Sequence, residues 1–384
     1  MSEIILIIFT ALSIGVLILL IVSAIGNFVI KEKQLFVMLS ILVIALAIAG
    51  YMFDYEANSN NDLSRFIQEF EAIKRNRGDL FKILNKNHPF EYLYAVIAYV
   101  ESFMTNYHWF PVVCVLFEYS VYLYILMNES KNFDNQALGI LVCIIFKISL
   151  IPPYMSIAAS RNIIAYALFS LGVYRLLRSD KFEGKKDFIS FLMVIGGGLI
   201  HTSVFFSVIV LVLSILIYKR QKLLPLLLLW GLLYTAVLEL ISNFTGEVAD
   251  YLTRKGTNYL EEMNKTNASR MGATLPWIIV FLVICFIYLY IGKKYSRRSV
   301  FVLAQTSVAI GAAFIPTLFL RMCYPVGIMF PIVYAELQTN REEKTFRGQQ
   351  GLLIILLIAS LIMFYTTRFG WIKELVLEIT GVIR

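Results

Sequence analysis

From Ile4 to Thr367 the chain alternates long apolar runs with short basic loops. Each run approaches the roughly 20 apolar residues that a helix needs to cross a bilayer. Lipid admits only backbones whose polar groups are satisfied internally, so these runs are expected to be helices. With 59% apolar and 16% charged residues and a mean hydropathy of +0.74, a soluble domain is excluded. The expected fold is all-α, a polytopic membrane bundle of about 12 spans that forms one domain over 1–384.

The candidate spans cover 4–30, 34–51, 109–127, 136–151, 161–178, 187–200, 202–218, 222–243, 274–292, 299–315, 317–337 and 351–367. The first is too long for a signal-peptide core and reads as a retained helix. Cys114, Cys143, Cys285 and Cys323 sit singly in apolar runs, so neither a disulfide framework nor a metal site is expected. The net charge of +8 comes from basic loops between spans. It is a topology signal rather than a nucleic-acid surface.

Lys219-Arg220-Gln221-Lys222, Lys293 to Arg298, and the loop with Arg178, Lys181 and Lys185 mark the cytoplasmic side. Residues 52–107 and 244–273 then fall outside. Because 187–218 lies between two inside loops, a hairpin is expected around Gly196-Gly197-Gly198, with His201 near its outer turn. Residues 90–106 are read as a re-entrant or surface-lying helix. In 62–77 the apolar positions 63, 66, 67, 70 and 73 share one helix face, and Asn61 or Asp62 is placed to cap its start. The stretch from Trp371 to Leu377, within 368–384, has a similar interfacial character. No sequence repeat supports an inverted-repeat transporter.

Arg161, His201 and Arg321 interrupt apolar runs at the same, outer, end of their helices. Ionisable groups at membrane depth usually face a cavity and mark a functional path. A guanidinium fork suits phosphate oxygens, and a histidine can act as base or as phosphate donor. The bland alternatives are a snorkelling Arg161, a packed His201, and an Arg321 paired with Glu336 or Glu239. Glu91 opens the re-entrant segment, with His88 just before it. Asp62 and Arg65 lie in the outer helix, and Glu118 and Lys147 lie within spans where they could pair.

These residues resemble a family. Asp62-Leu63-Ser64-Arg65-Phe66, Phe90-Glu91-Tyr92-Leu93-Tyr94, Arg161-Asn162-Ile163-Ile164-Ala165, His201-Thr202-Ser203 and a late Arg321 occur in the order seen in the EpsG family, among Wzy-type polysaccharide polymerases. Arg65-Phe66 stands where a tyrosine would follow the aspartate, and Asn162 where glutamine is commoner. The resemblance implies a GT-C-like bundle in the bacterial cytoplasmic membrane, active on its outer face. It also implies inverting glycosyl transfer without metal or cofactor, polymerising undecaprenyl-diphosphate-linked oligosaccharides. Its partners would be those substrates and membrane lipid, with a flippase and a chain-length regulator. Arg161, Arg321 and His201 would hold the diphosphate, and His201, Glu91 or Asp62 would be the base. Arg65, His88, Asn162 and Tyr324 would be further substrate-binding residues. The alternatives are a ligase that moves a lipid-linked glycan to another acceptor, and a flippase, which would need basic residues through the depth of a channel.

Overall fold

A computed structural model of the chain describes residues 2–26, 30–53, 62–75, 90–178, 184–233, 268–291, 295–313 and 315–339. Every regular element among them is helical. The first five α-helices are α1 (Ser2–Gly26), α2 (Glu32–Met52), α3 (Asp62–Arg75), α4 (Tyr92–Glu101) and α5 (Trp109–Glu129). Next come α6 (Gln136–Leu150), α7 (Pro153–Ala158), α8 (Ser160–Leu176), α9 (Lys185–Ile200) and α10 (Val204–Tyr218). The last four are α11 (Leu224–Leu232), α12 (Ala268–Ile291), α13 (Arg297–Gly311) and α14 (Pro316–Thr339).

The expected runs up to 337 carry helix over most of their described residues; 27–29, 234–243, 292 and 314 lie outside the described residues, as do 351–367 and 368–384. Among the described residues, Glu32–Met52, Trp109–Asn132 and Thr317–Gln338 are long and apolar enough to cross a membrane. Shorter apolar helices accompany them, including Gln136–Leu150 and Val204–Tyr218. At 1.5 Å per residue, helices of 15 to 17 residues such as α6, α8 and α10 reach only about 22–26 Å. That is short of a hydrocarbon core of about 30 Å. α4, with ten residues, reaches about 15 Å and cannot cross alone.

Helix starts follow local chemistry. Asn135 accepts the Leu138 N–H at 3.0 Å to cap α6, and Ser296 accepts the Ser299 N–H at 3.2 Å to cap α13. Pro316 takes the first position of α14, where its missing N–H is harmless. α14 is the axis of the bundle, packed against α5, α6, α8 and α13, and most of its described side chains are buried. α1 and α2 sit at the periphery. At the end of the bundle bearing Glu129, the Tyr174 hydroxyl donates to Glu129 at 2.7 Å and Arg298 pairs with the same carboxylate. One carboxylate thus joins α5, α8 and α13.

The glycine-rich stretch behaves differently from the expectation. Gly196, Gly197 and Gly198 stay inside α9, and the helix breaks only at His201. Their role is close helix approach, as with small residues between membrane helices. A β-carbon at Gly197 would lie 2.7 Å from the Ala165 carbonyl oxygen of α8, and one at Gly172 would lie 2.7 Å from the Ser190 carbonyl oxygen of α9. Gly197→Ala should therefore lower stability by about 1–3 kcal/mol, read as a lower midpoint of thermal unfolding in detergent. Gly15→Ala, where nothing lies within 4 Å, should leave that midpoint unchanged or raised.

α3 buries Leu63, Phe66, Ile67, Phe70 and Ile73, the face anticipated from their spacing. Phe66 meets the Tyr94 ring of α4 at 5.9 Å and Phe70 meets Phe110 of α5 at 5.2 Å. Asp62 opens the helix, while Asn61 lies outside the described residues.

Candidate functional site

α9 ends because His201 turns to an extended conformation (φ −147°, ψ 116°) while its own N–H still donates to the Gly197 carbonyl. The amides of Val204 and Phe205 then donate back to the carbonyls of His201 and Thr202. The ring of Phe205 covers Gly198, against which a β-carbon would clash at 2.6 Å. α10 starts from this tight turn, and the amide of Thr202, two residues ahead of the helix, points to a side-chain acceptor instead. Such a helix end, with its dipole, is a ready seat for an anion.

The anion in that seat is a side chain. Glu91 Oε1 accepts both the backbone N–H and the hydroxyl of Thr202, each at 3.1 Å. Glu91 Oε2 accepts Arg161 Nη1 at 2.8 Å, across 70 residues of chain. The Glu91 side chain is 1% exposed and that of Arg161 is 12% exposed, so the pair sits largely out of water but at the edge of a reachable space.

Two features hold the pair in place. Among the described residues Phe90 is the one non-glycine with positive φ, at 69°, an uncommon and strained conformation for a bulky side chain. Such strain is of order 1–3 kcal/mol and gathers at functional sites. Here it delivers Glu91 into the break just before α4 begins. Arg161, in the first turn of α8, also packs on rings from two other helices. Its guanidinium carbon lies 5.1 Å from the Phe66 ring centre and 4.6 Å from that of Tyr94, a cation–π arrangement. Tyr94 is in turn fixed by donating its hydroxyl to Glu69 at 2.8 Å. The apolar face of α3 is thus one wall of the site.

His201 is 1% exposed and its Nδ1 lies 4.0 Å from Glu91 Oε1. The Ser203 N–H donates to that same Nδ1 at 3.2 Å. An amide can only donate, so the hydrogen-bond network assigns Nδ1 as an acceptor and places the proton of neutral His201 on Nε2. The Ser203 hydroxyl, 2.8 Å from Nδ1, then donates too. Tyr166 of α8, 3.1 Å from Ser203 Oγ, supplies the proton that Ser203 accepts. The relay is Tyr166 to Ser203 to His201, and it leaves His201 presenting an N–H rather than a lone pair.

Arg321 lies one helical turn before Tyr324, a residue that packs on this relay. That tyrosine stacks at a tilt on Tyr166, ring centres 5.3 Å apart, and lies within electrostatic range of Arg321, Asp62 and Glu118. Tyr324 is 1% exposed and Asn162 6% exposed. The Tyr324 hydroxyl and the Asn162 side-chain carbonyl have no hydrogen-bond partner among the described residues. Glu336 cannot be the partner of Arg321: 15 residues along α14 separate them by about 22 Å, and Glu336 accepts the Ser296 N–H at 2.7 Å. Glu239 and His88 lie outside the described residues. Asp62 pairs with Arg65 on the exposed side of α3.

Arg161, His201 and Glu91 therefore form one cluster, Arg321 and Tyr324 adjoin it, and the Asp62–Arg65 pair stands at its rim. Sequence reasoning assigned no role to Thr202, Ser203, Tyr166, Tyr94 or Phe66. Thr202 and Ser203 directly follow His201, and that adjacency was the available signal. The aromatic residues look like ordinary core. Neither the curated proteins nor the solved structures contain a match to the chain. A family model described as the EpsG family matches residues 39–373, a span that takes in every member of this cluster, so the chain belongs to the EpsG family.

Proposed function

We propose that this membrane protein joins oligosaccharide repeat units carried on undecaprenyl diphosphate into a bacterial exopolysaccharide, capsule or O-antigen. The reaction takes place at the outer face of the cytoplasmic membrane. Family membership supports the polymerase role. The observation that carries the chemistry is the Glu91 carboxylate seated between Arg161 and the start of α10. A seat that stabilises a carboxylate out of water is built to stabilise an anion.

In this reading about a dozen spans, in a GT-C-like arrangement, hold the growing chain as donor and a single lipid-linked unit as acceptor. Much of the rate comes from that positioning. The diphosphate of the donor takes Arg161 from Glu91, and Arg321 and the Nε2–H of His201 bind its remaining oxygens. Fixed donors in a dry site stabilise the departing charge without a metal ion. Glu91, released, takes the proton of the acceptor hydroxyl as that oxygen bonds to the anomeric carbon from the opposite side and the bond to the diphosphate breaks. His201, with Nδ1 occupied, serves as a donor. Asp62, tied to Arg65, is the weaker candidate for the base. Asn162 and Tyr324 offer buried polar atoms to sugar hydroxyls, Arg65 contacts sugar at the rim, and His88 is a further substrate-binding candidate.

Deleting the gene should cause single lipid-linked repeats to accumulate outside the membrane, and re-expression should restore a ladder of chain lengths. Intact polymer left unattached would instead indicate a ligase, and repeats trapped on the inner side a flippase. The donor role of His201 has its own check. The chain has three histidines, so ¹⁵N-histidine labelling with His201→Gln as reference identifies its resonances. At neutral pH its Nδ1 should be unprotonated and its Nε2 protonated. Ser203→Ala should cut polymer yield about three- to tenfold, as expected for one lost hydrogen bond, and Ser203→Thr should restore it. A protonated Nδ1 would reverse the assignment.

A further inference from the structure

α2 carries a ridge, Lys33, Val37, Ser40 and Ile44, whose spacing places all four on one helix face. On its α5 side runs a groove of about 1070 Å³, walled by Phe36, Leu116 and Leu123. On its α1 side runs a second groove of about 550 Å³, walled by Leu19 and Met38. Lys33 and Val37 line both, and among the described residues Lys33 is the one charged side chain that the two linings share. Glu32 also lines the larger groove, and its carboxylate pairs with Lys131 at 3.2 Å.

We propose that this ridge binds one anionic diacyl phospholipid, with its phosphate on Lys33 and one acyl chain in each groove. Two apolar channels flanking a single cation match the layout of a headgroup with two tails. A carrier with one isoprenoid tail would leave one channel unused. A zwitterionic headgroup brings its own cation to Lys33 and loses the charge complementarity. Basic pockets between helices on the cytoplasmic side bind acidic headgroups in this way. The charge pattern assigns Lys31 and Lys33 to that side, so the lipid belongs to the inner leaflet. The site lies apart from the Glu91 cluster and does not depend on the reaction proposed for it. By bridging α1, α2 and α5 the lipid fastens the peripheral helices to the bundle.

The probe is phosphatidylglycerol carrying a photoreactive diazirine near the end of both acyl chains, incorporated with the full chain into nanodiscs. Mass mapping should find label on α5 between Leu116 and Leu123 and on α1 near Leu19 and Ser23. Phosphatidylcholine with the same chains should label these positions roughly tenfold less. Lys33→Glu, an exposed change that leaves the thermal midpoint without added lipid unchanged, should reduce phosphatidylglycerol labelling to that level. Equal labelling by the two headgroups, label in one groove alone, or displacement by an isoprenyl phosphate would each overturn the proposal.

Discussion

Arg161→Ala should reduce polymer about a hundredfold or more, the usual effect of deleting one donor that stabilises transition-state charge. Gel electrophoresis of extracted polysaccharide at matched protein level would read it. Arg161→Lys should recover only part of this, because an ammonium lacks the planar fork that meets two phosphate oxygens at once. A structural explanation has to be separated, since Arg161→Ala also leaves the buried Glu91 carboxylate without its cation. Breaking such a pair from one side costs about 3–5 kcal/mol. The double variant Arg161→Ala, Glu91→Gln removes that burden, and its thermal midpoint should return most of the way. Polymer should stay absent in the double variant. Normal polymer from Arg161→Ala would remove Arg161 from the reaction.

The largest stability effect is expected inside the bundle. Lys147 Nζ donates to Glu118 Oε1 at 2.6 Å, and both side chains are fully buried. The ammonium also lies 4.3 Å from the centre of the Tyr119 ring. Lys147→Met strands a carboxylate among apolar helices and should lower stability by about 3–5 kcal/mol. In detergent this reads as a large fall in the unfolding midpoint, and in cells as loss of protein. Replacing both members, Glu118→Leu with Lys147→Met, should recover most of the loss, because a well-packed apolar pair often matches a buried ion pair. The two changes are then strongly non-additive. A double variant as unstable as the single one would show that the pair does more than neutralise itself.

Helix positions were readable because apolar runs and basic loops are set by the bilayer. The run expected at 136–151 is observed as Gln136–Leu150, and the apolar face of α3 is the predicted one. Other features depended on contacts that no local pattern encodes. The three glycines carry the signal of a turn, but they stay helical, Gly197 meeting Ala165 and Gly198 the Phe205 ring, and the break moves to His201. Glu91 and Arg161 were each suspected, yet their pairing spans 70 residues and depends on an unusual backbone angle at Phe90. Tyr166 lies in an apolar stretch and gains its part only because α9 breaks opposite it.

The carboxylate carried by Phe90-Glu91 has a consequence for traffic at this site. A bilayer surrounds the protein with phosphodiester headgroups, each bearing one negative charge. Any of them reaching Arg161 must evict a resident of equal charge that is already fastened to Thr202 by two further hydrogen bonds. A diphosphate, with two or more charges and more acceptor oxygens, gains from the exchange where a phosphodiester only breaks even. Under the proposed reaction Glu91 would work as an entry threshold, keeping the arginine from being silted up by bulk lipid and opening it to the rarer, more highly charged carrier.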